Sequence, residues 1–233
     1  MQRFIHKHVA RCNDHMTPTA YAFFDFDDTL AKGDSIFPFL LYAIKRGYAP
    51  KWQLLKAAAG FLRWKIQPSS GRAVKEWTMS FIKGYTVEEM DELSRDFFRE
   101  VQQNAFFEDA APEIFSLREK GVQIVVVSAS SDLYMKILPE FLPVDAVIST
   151  TCEVVDGKYT GKIGKNCKGE EKVQRIQAWL EKQGTTIDKA RSAGYGDSPS
   201  DAPMLLLTDA PTLVNPKKGL IRNIPGGRIV RWQ

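Results

Sequence analysis

Four consecutive apolar residues, Tyr21-Ala22-Phe23-Phe24, run directly into Asp25-Phe26-Asp27-Asp28-Thr29. An aromatic-rich run of this length, closed by acids and then by Gly33, predicts a short buried strand. The pattern then changes period. Ile36 to Ile44 is apolar and ends at Lys45-Arg46-Gly47, a helix stop. Pro50 opens a stretch from Lys51 to Lys65 that is helical by composition. Ser69 or Ser70 caps a third predicted helix reaching about Lys83, and Thr86 with Glu89 forms a capping box for a fourth that passes Phe97. Four helices without a strand are therefore expected between Asp34 and Asn104, inserted directly after the acidic strand.

Strand and helix alternate from there on. A helix is predicted from Asp109 to Lys120, stopping at Gly121. Val122 to Val127 is a β-branched run fit for a central parallel strand, ending at Ser128, with a helix opening at Asp132. Asp145 to Ser149 is a further strand. Glu153 to Thr160 is a hairpin, since Asp156-Gly157 supplies the positive φ angles of its turn. Lys172 to Lys182 is a helix with its apolar stripe at Val173, Ile176 and Leu180. Ala190 to Tyr195 is a strand running into Gly196-Asp197, Met204 to Leu207 lie on the next helix, and Leu213-Val214 is the last strand. This alternation predicts an α/β fold with an open parallel sheet. The core covers 20–33 and 105–233, the helical insertion 34–104, and residues 1–19 form a polar extension.

Composition narrows the class without choosing a function. The chain has 233 residues, 44% of them apolar, which is enough for one core and a smaller appended unit. A net charge of +4 is too small to imply nucleic acid, but it is compatible with an anionic substrate or an anionic membrane surface. Cys12, Cys152 and Cys167 are three thiols at no metal-ligand spacing, so reduced cysteines and a cytoplasmic setting are expected. Cys152 and Cys167 lack visible partners for a zinc site. No apolar run reaches about 18 residues, so no membrane span is predicted, and the basic start lacks the apolar segment of a secretory signal.

The chemistry is concentrated at the strand ends. Ligands of open α/β sheets bind beyond the carboxyl ends of the strands. Asp25 and Asp27, Ser128, and Asp197 with Asp201 each follow a predicted strand, so distant segments converge on one rim. Asp25 and Asp197 can hold a Mg²⁺, and a lysine with that cation can neutralise a phosphate. A carboxylate so placed can attack phosphorus, and Asp27 can carry the proton. That division requires the two neighbours to have separated pKa values.

Asp25-Phe-Asp27-Asp28-Thr29, Ser128, a lysine at Lys172 or Lys168, and Gly196-Asp197-Ser-Pro-Ser-Asp201 resemble the four motifs of the haloacid dehalogenase (HAD) hydrolases, in order, over residues 20 to 215. The insertion after the first motif is similar to the cap of the phosphoserine-phosphatase-like branch, subfamily IB. The resemblance implies a Rossmann-like three-layer core, Mg²⁺, an aspartyl-phosphate intermediate and a cap that closes over a small phosphorylated substrate. It implies that Asp25 is nucleophile and metal ligand, Asp27 acid/base and backbone-carbonyl ligand, Ser128 the phosphate-binding hydroxyl and Asp197 a metal ligand. Asp201 then orients waters or the lysine. Lys172 is favoured over Lys168 because it opens the striped helix and its distance from Asp197 fits the family better. Asp28 is a supporting residue. Asp34 stands where relatives read the substrate, and it is equally placed to cap the first inserted helix.

The substrate is less legible. A Gly-containing arginine motif that grips phosphoserine has no match, since the stretch from Arg72 to Gly84 reads differently. Cys167-x-Gly-x-x-Lys172 is closer to relatives that act on phosphatidylglycerophosphate-type lipids. The second inserted helix carries Lys51, Trp52, Lys56, Arg63, Trp64 and Lys65 among Leu54, Leu55, Phe61 and Leu62. It is fit for peripheral contact with an anionic membrane, or for packing its Trp and Leu inside the cap. A HAD-like module that binds phosphate or phospholipid without chemistry is the remaining reading, and an intact acid pair weighs against it.

Overall fold

A computed structural model describes residues 16–67 and 71–233. The third helix's cap at Ser69 or Ser70 and the greater part of the polar extension, with Cys12, His6, His8 and His15, lie outside the described residues. The fold is α/β and built on a parallel sheet. Its six strands are β2 (Tyr21–Phe24), β3 (Gln123–Ser131), β4 (Ala146–Thr150), β8 (Ala193–Gly196), β9 (Ala210–Val214) and β10 (Arg228–Val230), in the spatial order β10-β9-β8-β2-β3-β4. All neighbouring pairs are parallel.

Alternation along β2 explains how a four-residue strand holds two layers apart. Ala22 and Phe24 face one core with Ile124 and Val126, whereas Tyr21 and Phe23 face the other with Val125 and Val127. All of them are buried, as a strand covered on both faces requires. Helix α5 (Ala110–Glu119) covers the first face through Ala110 and Ile114. Helices α7 (Glu170–Gln183), α8 (Ala202–Leu205) and α9 (Lys218–Asn223) cover the second through Ile176, Leu180, Leu205 and Leu220.

Among the described residues, the chain from β2 forms α1 (Ile36–Lys45), α2 (Gln53–Ile66), α3 (Gly71–Met79) and α4 (Val87–Glu100) before it reaches α5 and β3. The capping box at Thr86 and Glu89 is present in both directions. Phe39 of α1 and Phe97 and Phe98 of α4 join the core on the first face of the sheet, together with Phe26 and Tyr134. The hairpin of β5 (Cys152–Val155) and β6 (Lys158–Ile163) turns at Asp156 and Gly157, both at positive φ. It belongs by sequence to the stretch after 105, yet it hydrogen-bonds to the chain entering α4: Gly84 N–H donates to the Tyr159 carbonyl and Tyr159 N–H to that of Tyr85.

Several sequence expectations need correction. Ala190 is not in a strand, because Lys189–Arg191 forms a 3₁₀ turn held by Asp188, whose carboxylate takes the Arg191 N–H and guanidinium. Strand β3 does not end at Ser128. It runs on to Ser131, and its pairing with β4 shifts register between Val127 and Ser131. Leu213-Val214 is not the last strand, since β10 follows and extends the sheet by one. Thr17–Thr19, expected to be extension, forms β1 and pairs in parallel with β7 (Thr185–Ile187). The helix at Met204 closes at Leu205, before Leu207. Trp52, just before α2, and the leucines of α2 do not all pack inward: Trp52 is 52% exposed, Leu55 73% and Leu62 61%.

Candidate active site

Register brings the polar strand ends together. Phe24 pairs with Val126 on one side and Tyr195 on the other, so Asp25 leaves the sheet beside the exits that carry Ser128 and Asp197. The order of strands also reverses around β2, which makes this rim the crevice of the fold. The chain turns sharply after Asp27. Asp28 adopts φ 61°, takes the Gly33 N–H on its carboxylate, and its own N–H donates to the Ala31 carbonyl. An acidic residue tolerates this left-handed position better than a branched one, and the turn redirects Asp28 away from its neighbours.

Lys172 is the cation at the centre. Its side chain is almost fully buried, and its ammonium donates to Asp25 Oδ1 at 2.6 Å and to Asp201 Oδ1 at 2.7 Å. Lys168, the alternative, is exposed and not part of these pairs. Helix α7 begins just ahead of Lys172, after Gly169 at φ 62°, and so aims this residue into the rim while Ile176 and Leu180 dock on the sheet.

Asp201 is fixed from both sides. One oxygen takes Lys172, and the other takes the Ser198 N–H and hydroxyl at 3.0 and 2.7 Å. Burial alone would raise its pKa, but Lys172 and the Ser198 bonds hold it below the usual carboxylate range. Gly196 makes room for it: a Cβ there would lie 2.7 Å from Asp201 Cβ. Asp197 is buried beside it. Its Oδ2 lies 2.6 Å from the Lys217 ammonium without a directed hydrogen bond. Burial raises its pKa, while Lys217 opposes that rise.

Asp25 and Asp27 sit in different surroundings although one residue separates them. Burial pushes Asp25 up to about 8, with Lys172 working against the push and Asp201 and Asp27 adding to it. Thr29 reaches its other oxygen only at 3.4 Å. Asp27 instead accepts from Ser130 Oγ at 2.5 Å and from Ser35 N–H at 2.9 Å. Burial, then the charge of Asp34, pushes it up to about 6, and the serine bonds moderate that rise. Ser128 is fully buried and its hydroxyl accepts the Ser130 N–H at 2.9 Å. Asp34 is exposed and accepts the Ile36 N–H at 2.9 Å, a bond that caps the start of α1.

Five further side chains, which no motif marks, support the rim. Ser35 and Ser130 bond each other and, with the Tyr134 hydroxyl, surround Asp27. Lys217 bridges Asp197 and Asp28. Lys75 of α3 donates to the Ala129 carbonyl at 2.5 Å and to Asn166 Oδ1 at 2.8 Å, tying an inserted helix to the rim. Burial lowers its pKa, with Asp27 and Asp34 opposing. Serines, lysines and tyrosines are too common for spacing alone to mark these five, although Ser130 lies two residues past Ser128 and Ser35 adjoins Asp34.

Carboxylate oxygens of Asp25, Asp197 and Asp201 lie within 4.8 Å of one another. A buried set of oxygen donors alone suits a hard divalent cation and not zinc or copper. Among the described residues no cluster of this kind includes Cys152 or Cys167, which are buried free thiols.

The model of the haloacid dehalogenase-like hydrolases matches residues 22–206. The chain belongs to this family. Its relatives include the Caulobacter vibrioides protein CicA, 30% identical over 190 residues that cover 80% of this chain and 82% of CicA. A histidinol-phosphatase of Neisseria meningitidis is 27% identical, covering 84% of this chain and 90% of the relative. Among solved structures, a Bordetella pertussis protein of unknown function superposes with a TM-score of 0.82 at 23% identity, over 92% of this chain and 99% of that one. A phospho-aspartyl intermediate analogue of phosphoserine phosphatase superposes at 0.60 with 21% identity, over 91% and 93%. These two structures share the fold. As a HAD-family protein with phosphatase relatives, the chain is a phosphatase.

Proposed function

We propose that this HAD phosphatase is a Mg²⁺-dependent phosphomonoester hydrolase that works through an aspartyl-phosphate on Asp25, on a small phosphorylated metabolite held under the cap formed by residues 34–104. One observation carries the reading: two carboxylates one residue apart, Asp25 buried and Asp27 half-buried, have separate partners, Lys172 for Asp25 and the serines Ser35 and Ser130 for Asp27.

Asp25 attacks phosphorus while the ester oxygen leaves. Lys172 and the Ser128 hydroxyl hold the phosphoryl oxygens, and Lys172 opposes the rise that burial gives Asp25, an opposition that the cation would complete to leave it a carboxylate. Asp27 gives its proton to the departing alkoxide; a pKa pushed up to about 6 suits a group that must hold and release a proton near neutrality. In the second half, Asp27 takes a proton from water, the resulting hydroxide attacks phosphorus, and Asp25 is released as a carboxylate with inorganic phosphate. The cation would be held by Asp25, Asp197 and the Asp27 backbone carbonyl, and it supplies charge for the phosphoryl oxygens. Asp201 keeps Lys172 in place through its second ion pair.

A module that only binds phosphate has no use for a second carboxylate tuned apart from the first. Asp25→Asn is expected to reduce hydrolysis of an aryl phosphate to background while circular dichroism and thermal unfolding remain those of a folded chain. Full Mg²⁺-dependent turnover in that variant overturns the mechanism.

A further inference from the structure

The second inserted helix has two apolar stripes, and only one is used. Gln53, Ala57 and Gly60 face inward, where the Gln53 amide donates to the carbonyls of Trp77 and Thr78 and a Cβ on Gly60 would meet Val74 at 3.1 Å. Leu55, Ala59, Leu62 and Ile66 follow the spacing i, i+4, i+7, i+11, which is one continuous line along a helix. At 100° per residue that line lies opposite the packed stripe. It faces outward: Leu55 is 73% exposed, Leu62 61% and Ile66 79%, and Trp52 at the N-terminal end is half exposed. A helix of a cap that only covers a soluble substrate needs no such ridge.

Charge identifies the occupant. The same helical geometry places Lys56 and Arg63 along one flank of the ridge and Lys65 along the other, and Lys51 stands just before the helix. No acid occurs between Lys51 and Gln67. Lys56 lies over the Trp52 ring at 4.7 Å and Arg63 over that of Trp77 at 5.5 Å, so both cations border aromatic surface. A second copy of the chain packed on this ridge would set cationic flanks against each other. An anionic bilayer accepts all of it: the apolar line enters the headgroup boundary, the cations meet lipid phosphates on both sides, and Trp52 takes the interfacial position.

We propose that the outer face of α2 docks the protein on anionic lipid bilayers. The inference rests on this surface alone and not on the chemistry assigned to Asp25. The test is flotation of the full chain with vesicles of phosphatidylcholine containing phosphatidylglycerol, and with vesicles of pure phosphatidylcholine. The chain is expected to float with the first and not the second, and to be released as salt is raised. Leu55→Ser/Leu62→Ser/Ile66→Ser is expected to lower partitioning by at least about a hundredfold. Lys56→Gln/Arg63→Gln is expected to lower it by about tenfold, and it carries the test should the triple variant fail to fold. Phe115→Ser, at an exposed position of α5, is expected to change nothing. Both sets of ridge variants should keep turnover of a soluble aryl phosphate, and Asp25→Asn should float as wild type does, which separates this proposal from the catalytic one. Absence of the wild-type chain from phosphatidylglycerol vesicles overturns the proposal. So does undiminished flotation of a folded ridge variant, or a wild-type dimer that the ridge variants make monomeric without any vesicle binding.

Discussion

Two carboxylates separated by one residue serve different ends because their neighbours differ. Asp25 shares a buried ammonium with Asp201, whereas Asp27 rests on hydroxyl and amide donors and feels the charge of Asp34. Burial raises Asp25 while Lys172 opposes the rise, and a divalent cation beside it would hold it as the carboxylate; the hydroxyl and amide donors suit Asp27 to exchange its proton. Removing the proton carrier should therefore depend on the leaving group. Asp27→Asn is expected to lower kcat/KM on an alkyl phosphate by about 10²- to 10⁴-fold. On p-nitrophenyl phosphate, whose leaving group needs no proton, kcat/KM should fall far less, while kcat falls on both because Asp27 also activates the hydrolytic water. Steady-state kcat/KM with the two esters checks this, and equal losses in it would remove the acid role from Asp27.

Elements position these side chains through close approach that leaves no spare volume. Gly196 ends β8 where the Asp201 side chain passes 2.7 Å from the place a Cβ would occupy. Gly196→Ala is expected to displace Asp201 from Lys172, to destabilise the chain by about 1–3 kcal/mol and to lower turnover with it. Urea unfolding and kcat measured together test the point, and a variant with both unchanged contradicts it. The main elements were legible because their signals are local. The apolar run at 21–24, the β-branched run at 122–127, the Asp156-Gly157 turn and the Thr86/Glu89 box each specify their own conformation. What stayed hidden depends on partners distant in sequence. β1 forms because Thr17–Thr19 meets Thr185–Ile187, and β10 because Arg228–Val230 meets β9. Neither three-residue segment has a period of its own. The rim's acids were readable as strand exits and the striped helix already favoured Lys172 over Lys168, but the two ion pairs that Lys172 makes, with Asp25 and Asp201, were not readable. Lys75, Lys217 and the serines around Asp27 required the inserted helices and distant loops to be in place. Exposure of the α2 ridge was likewise a matter of which side α3 covers.

For the whole molecule, three buried acids at one rim leave a charge imbalance that Lys172 and Lys217 reduce and a divalent cation would complete. Mg²⁺ is thus expected to stabilise the folded state, by about 2.7 kcal/mol at a hundred times its dissociation constant, and to raise Tm accordingly. Chelation should abolish turnover reversibly. Asp197→Asn should abolish the Mg²⁺-dependent rise in Tm even where no substrate is present. A rise that persists in this variant would place the cation elsewhere. The sheet, the two cores and the inserted helices together set the rim beneath a helical cover whose outer surface is cationic and apolar. The two proposals thus place catalysis at the sheet rim and membrane contact on the outer face of the insertion.

A phosphoryl group carried on Asp25 can be seen directly. Enzyme mixed with a phosphomonoester substrate and Mg²⁺, quenched in acid during turnover and digested, should give a phosphorylated peptide containing Asp25, detected by mass spectrometry and lost on mild base as an acyl phosphate is. The account predicts the modification on Asp25 in the wild type and none in Asp25→Asn. Phosphorylation at another residue, or rapid turnover in which Asp25 never becomes labelled under quench conditions that preserve acyl phosphates, would contradict it.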